Sequence, residues 1–325
     1  MSAPAAPGVT LVIPTYRRER VLVETVRLML ALDPTPDEII IVDQTPRHEP
    51  DTEAELGALE KAGRIRWIRI EKPSIPHAMN IGLLEARHEI VLFTDDDVVP
   101  DARLVAAHRT AHEDLGVSVV AGRVYQPWDR RDRPSGAFFT ADRKLPATEF
   151  IGCNVSMKRS PALATGGFDE NFVKAAYRYE AEFSWRSRQA GHSMVYEPDA
   201  IIDHLKTTAG GTRSHGQPWF HPGHGVGEHY FLIRTRSLAG TIAGSSRRIA
   251  RSVMTRRHLR APWWIPVTLA AEMTAFLWAL LLALRGPHLL AISSEPPRPR
   301  MSLRGTGGDE AISKNSSASP VKTQP

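Results

Sequence analysis

Three adjacent carboxylates, Asp95, Asp96 and Asp97, follow the apolar run EIVLF and precede Val98, Val99 and Pro100. Side by side at neutral pH they repel one another, and a bound divalent cation removes that penalty. Hard oxygen donors suit Mn2+ or Mg2+. Such an ion can bridge to a diphosphate and stabilise charge on a departing group. The plain alternative is a solvated acidic turn, but a place at the end of a buried strand favours the ion. Two other apolar runs also end in polar residues. VTLVI leads into Pro14, Thr15, Tyr16, Arg17 and Arg18, and EIIIV leads into Asp43, Gln44 and Thr45. Asp43 can accept a hydrogen bond from a base or a ribose, or cap a turn. Arg17 and Arg18 can meet phosphate or remain on the surface. In an open parallel sheet, ligands sit outside the carboxyl ends of the strands, so the three ends should converge on one crevice.

The elements that position these residues read as alternating strands and helices. Apolar runs at 9–14, 38–42, 64–70, 89–94 and 117–124 predict strands. Stretches 20–31, 53–62, 75–86 and 101–112 predict helices, the second closed by Gly63. This alternation predicts an α/β domain with a mostly parallel sheet. The first eight residues lack the basic and apolar regions of a signal peptide. Beyond 125 the signals loosen. Residues 204–229, with His204, His215, His221, His224 and His229, read as a loop closing over the crevice; their spacing matches no common zinc pattern.

Composition narrows the function further. The chain has 325 residues, 41 basic and 36 acidic side chains, and 42% hydrophobic content, which excludes wholesale disorder. One cysteine, Cys153, excludes a disulfide framework and a cysteine-based zinc site, and is expected to serve packing. There is no GxGxxG after the first strand, no GxxxxGK[ST] and no GxSxG. Dinucleotide, P-loop and serine-hydrolase readings are therefore disfavoured.

At this point the segments resemble a known family. In order, VIPTYRR, IIIVDQT, HAMNIGLLEA, FTDDDVVPD, GCNVSMKRS, GGFDENF and YEAEFSWR are similar to motifs of the inverting family-two glycosyltransferases. The resemblance runs from about residue 9 to about 236 and implies a GT-A nucleotide-sugar-binding domain. It implies that Asp43 meets the nucleotide base, most often uracil, and that Pro14, Thr15, Tyr16, Arg18, Asn80, Asp95 and Asp96 serve donor binding. Asp97, Asp95 and His204 would hold the cation. Glu180 falls at the catalytic-base position, with Glu182 as fallback or as a structural partner of Arg186. Two departures stand out: Met79 replaces the usual Arg, and Tyr179 replaces the usual acidic residue before the base. One base and one metal cluster suffice for a single in-line displacement. A nucleotidyltransferase making nucleotide sugars, or a non-catalytic donor-binding scaffold in polysaccharide assembly, are the competing readings.

The charge is uneven. Residues 1–203 carry 25 basic and 31 acidic side chains, whereas 204–325 carry 16 and 5. The basic excess belongs to the last third, which argues against a nucleic-acid face over the whole protein. An Arg-rich approach leads into the apolar stretch 261–284, broken by Glu272. A helix of that length reaches ~36 Å, enough for a bilayer core of about 30 Å. Glu272 in mid-segment would cost about 2.5–3.5 kcal/mol in a span, so a helix lying in the interface is the better expectation. The soluble alternative is a helical hairpin packed on the enzyme. The expected organisation is a disordered N-terminus over 1–8, a GT-A domain over 9–236, a basic, apolar, membrane-associated helical segment over 237–292, and a disordered tail over 293–325. The expected location is the cytoplasmic side of the cell membrane, with a glycan or lipid-linked acceptor.

Overall fold

The computed structural model describes residues 7–129, 131, 138–211 and 222–291. The disorder expected over 293–325, and most of that over 1–8, lies outside the described residues. The first half alternates as the sequence predicts: β1 (Val9–Thr15), α1 (Arg20–Leu30), β2 (Glu38–Asp43), α2 (Pro50–Lys61), β3 (Arg66–Arg69), α3 (Ile75–Glu85) and β4 (Ile90–Thr94). Then come β5 (Val98–Pro100), α4 (Leu104–Ala111), β6 (Val117–Tyr125), β7 (Leu145–Pro146), β8 (Asn154–Lys158), α5 (Arg159–Ala164), α6 (Tyr179–Gln189) and β9 (Ser193–His204). The chain closes with α7 (Gly223–Thr235), α8 (Leu238–Val253), α9 (Arg256–Arg260) and α10 (Ile265–Arg285).

The sheet runs β3-β2-β1-β4-β8-β6-β9-β5, with β7 also on β9. Six strands are parallel; β8 is inserted antiparallel between β4 and β6, and β5 and β7 pair antiparallel with β9. Alternating side chains feed two cores, because a strand points successive residues to opposite faces. Val12, Ile40, Val91 and Phe93 face α3, α6 and α7. Leu11, Ile13, Ile41 and Leu92 face α1 and α4. Both faces are covered, which is why these strands read as continuous apolar runs.

The carboxyl ends of β1, β2, β4, β6 and β9 lie along one edge, joined there by the amino end of the reversed β8. Thr15, Gln44, Asp95, Gln126, Cys153 and His204 therefore reach the same place from six different strands.

The loop expected over 204–229 is corrected in part. β9 ends at His204, α7 begins at Gly223, and His215 and His221 lie outside the described residues. Glycine-rich GHGVGEH is a poor helix former, but tertiary packing requires its small residues. A Cβ on Gly225 would collide with Ala275 of α10, and one on Gly227 with the carbonyl oxygen of Tyr177. His229 is buried, with Nδ1 3.0 Å from Ser245 Oγ and Nε2 3.2 Å from Glu272 Oε2. Arg248 donates to both Glu272 oxygens, at 2.9 and 3.0 Å. Glu272 thus turns inward and ties α7, α8 and α10 together.

Because Gly227 meets backbone that leads into α6, Gly227→Ala should destabilise the fold by about 1–3 kcal/mol through overpacking. Urea unfolding measures this; an unchanged midpoint would contradict the contact.

Candidate active site

A cavity of about 440 Å³ opens on the sheet edge. Pro14, Thr15, Tyr16, Arg18, Gln44, Asp95, Asp96, Asp97 and His204 line it. Ile151, Gly152, Cys153, Tyr179 and Glu180 complete the lining, together with Lys206, Thr207, Thr208, Gly210 and Gly211 from the segment after β9. Glu180 sits in the first turn of α6, where the positive end of the helix favours a carboxylate.

The acidic run is held by a buried arginine. Arg18 Nε lies 3.2 Å from Asp96 Oδ1 and its Nη2 3.3 Å from Asp97 Oδ2. The same guanidinium donates to the backbone of Thr207 and Ala209 and to the Thr207 hydroxyl. Thr207 in turn donates to Asp97 Oδ2 from its amide, 2.8 Å, and its hydroxyl, 2.9 Å. Asp96 accepts from the Thr15 hydroxyl at 2.6 Å. Burial pushes the Asp96 carboxyl up to about 7, against Arg18 and Thr15. Burial also acts to raise Asp97, but His204, Arg18 and the Thr207 amide outweigh it and hold that carboxyl low. Charge repulsion in the run is thus relieved by an arginine and by the high proton affinity of Asp96.

His204 sits beside two carboxylates that could hold a cation with it. His204 Nε2 is 3.5 Å from Asp95 Oδ2 and 3.4 Å from Asp97 Oδ1. Carboxylate oxygens and an imidazole nitrogen are donors that Mn2+ or Mg2+ accepts. Asp97 spends Oδ2 on the protein and turns Oδ1 to His204.

Three residues expected in the site do not line the cavity. Asp43, 1% exposed, accepts at Oδ2 from Trp67 Nε1 at 2.9 Å and lies 2.7 Å from His48 Nε2. Its Oδ1 accepts from the Thr45 amide at 2.8 Å. Protein donors take this carboxylate, and Gln44 is the residue of that loop in the cavity wall. Asn80 donates to the Phe168 carbonyl and accepts from the Phe168 amide, 2.9 and 2.7 Å, clamping the GGF turn. Glu182 is wholly buried, with Arg186 donating to both oxygens at 2.8 Å. The structural alternative for Glu182 is what the geometry displays, and Glu180 is the carboxylate of α6 that reaches the cavity. Arg18 lines the cavity but serves the carboxylates and Thr207, so its donors are already engaged.

Sequence reasoning missed Thr207 and the cavity position of Cys153. Thr207 carries no motif. Cys153 precedes β8, whose antiparallel entry has no local signature, and it lies with Sγ 4.0 Å from His204 Nδ1. Asp95, Cys153 and His204 each bring a ligand atom within 4.8 Å of the others.

The sequence model of glycosyl transferase family 2 matches residues 10–161. This segment is a family-two glycosyltransferase domain. Solved structures of similar fold agree. A mannosyltransferase from Pyrobaculum calidifontis, in complex with GDP-Man and Mn2+, is 20% identical at a TM-score of 0.52, over 86% of this chain and 79% of that one. S. aureus TarS, residues 1–349, is 12% identical at a TM-score of 0.58, over 84% and 80%. GalNAc-T7 with UDP, GalNAc and Mn2+ is 12% identical at 0.53, over 86% of this chain and 57% of that one. No curated protein matches the chain. The α/β architecture, with its mixed, mostly parallel sheet, is the GT-A fold.

The Asp43 cluster has a pH signature. Burial opposes protonation of His48, but Asp43 and Glu19 outweigh it and raise the imidazole above 6.5. His48 therefore binds its proton more tightly folded than unfolded. Its contribution to stability is full below 6.5 and is lost as pH rises through the folded value. The stability gap between the native chain and His48→Gln, from urea unfolding, should be widest near pH 6 and shrink at higher pH. A gap independent of pH would contradict the assignment.

Proposed function

We propose that the chain transfers a glycosyl group from a nucleoside-diphosphate sugar to a hydroxyl acceptor, with inversion. The observation that carries this reading is one cavity lined both by Asp95, Asp97 and His204, which lie within ion-pair distance of one another through His204, and by Glu180 from the first turn of α6. The Mn2+ and the nucleotide or nucleotide sugar named for two fold neighbours support a donor of this class. Uracil is the base the family resemblance favours.

Asp95, Asp97 and His204 would hold Mn2+ or Mg2+, which when bound supplies charge neutralisation beside the diphosphate. Thr15, Tyr16 and Gln44 shape the donor end. Arg18 and Thr207 keep Asp97 ionised and aimed. Glu180 accepts the proton of the acceptor hydroxyl as oxygen attacks the anomeric carbon. The carbon–oxygen bond to the diphosphate breaks on the opposite face, so no covalent enzyme intermediate is needed.

The C-terminal helices support a membrane-surface location on the cytoplasmic side. Pro262–Arg285 is long and apolar enough to cross a bilayer. Thr268, Glu272, Ala275, Ala279 and Leu282 face inward, while Trp263, Leu277, Leu281 and Leu284 are exposed. Arg247, Arg251, Arg256, Arg257 and Arg260 are exposed nearby. Apolar and basic side chains together suit an anionic interface, with the helix lying in it. A lipid-linked or glycan acceptor would be met there.

Calorimetric titration of a nucleoside diphosphate should show binding that strengthens with Mn2+, and Asp97→Asn should remove that dependence. Glu180→Gln should keep donor binding and slow transfer by roughly 10²–10⁴-fold. Metal dependence retained in Asp97→Asn, or full transfer by Glu180→Gln, would defeat these roles.

For location, the full chain should sediment with phosphatidylserine-containing vesicles. A Leu277→Ser, Leu281→Ser double variant should sediment less. Equal recovery in the supernatant with and without vesicles would refute the surface reading.

A further inference from the structure

The proposed cation site has a neighbour that hard-metal chemistry does not need. Backbone register puts it there. Thr94 of β4 pairs with Asn154 of β8, so in this antiparallel pair the next residues outward are Asp95 and Cys153. The turn before β8 is closed by the Asn154 amide donating to the Ile151 carbonyl at 3.0 Å. Cys153 is 2% exposed and faces the cavity. His204, at the end of β9, lies beside both residues, with Nδ1 4.0 Å from the sulfur and Nε2 3.5 Å from Asp95 Oδ2, and one of its nitrogens lies within 4.8 Å of both other donor atoms.

We propose that Asp95, Cys153 and His204 form a mixed oxygen, sulfur and nitrogen site. It would take a soft divalent cation such as Zn2+ in competition with the harder ion. The proposal rests on the reading of Asp95 and His204 as cation ligands. A tetrahedral ion with Zn–S near 2.3 Å and Zn–N near 2.0 Å keeps its ligand atoms roughly 3.3–3.6 Å apart. The three donor atoms already lie within 4.8 Å of one another, so side-chain shifts on the order of 1 Å close the set. Thiolate sulfur is a poor ligand for Mg2+ and a good one for Zn2+ and Co2+. On binding, the thiol proton leaves to solvent as the sulfur–metal bond forms, with no change of oxidation state. The cavity then has a fourth coordination position open for a donor oxygen. Zn2+ would block the hard-ion reaction by occupying two of its ligands.

Co2+ titrated into the full chain provides the test. A near-ultraviolet sulfur-to-cobalt charge-transfer band should appear, saturate at one equivalent, vanish on adding Zn2+, and be absent in Cys153→Ser of native circular dichroism. Cys153 is the sole thiol, so alkylation by iodoacetamide gives a second readout in the native chain. Zn2+ should slow it at least tenfold. Co2+ binding without the band, or alkylation unaffected by Zn2+, overturns the proposal. If Mn2+-dependent nucleotide binding persists in either case, only the sulfur ligand is refuted. Loss of that dependence as well refutes the cation site itself.

Discussion

A guanidinium buried between two carboxylates is the constraint on which the cavity depends. Parallel strands bring Asp96 and Asp97 to one sheet edge, where burial makes their charge costly. Arg18, from the loop after the first strand, is spent on that cost, and it also grips Thr207 and Ala209 from the segment after β9. One side chain therefore links β1, the acidic run and the segment after β9. That is why Arg18 is poorly suited to meet phosphate directly: removing it from the carboxylates would leave buried charge unpaired.

Much of this was legible in the sequence because the strands are buried on both faces and show as unbroken apolar runs. The polar ends at Thr15, Gln44, Asp95 and Asp97 could be read as one crevice from strand alternation, whereas His204 entered through the family resemblance. The partners of Asp43 were not legible, since His48 and, from β3, Trp67 reach its carboxylate only in the folded chain. Glu180 and Glu182 differ by two residues on one helix, which turns one toward the cavity and the other toward Arg186. Only packing decides which is which. The reversed β8 was equally hidden, because five residues of ordinary composition do not announce their direction. Cys153 therefore read as packing.

The C-terminal helices show the same limit. Glycine and histidine in α7 look like loop residues, yet the glycines admit α10 and the Tyr177 backbone, and His229 meets Glu272. A glutamate that would be costly within a simple membrane span becomes the tie between three helices. The inward stripe of α10 is small or polar up to Leu282, and its outward stripe is leucine-rich. The segment packs on the α/β unit through one face and leaves the other available.

The central claim is that Asp95, Asp97 and His204 hold the cation of a glycosyl donor. Anomalous diffraction at the manganese edge, from crystals grown with Mn2+ and a nucleoside diphosphate, tests it directly. A peak at coordination distance from these three side chains, in contact with the diphosphate, is the predicted result. A bound nucleotide with no manganese peak there would contradict the account.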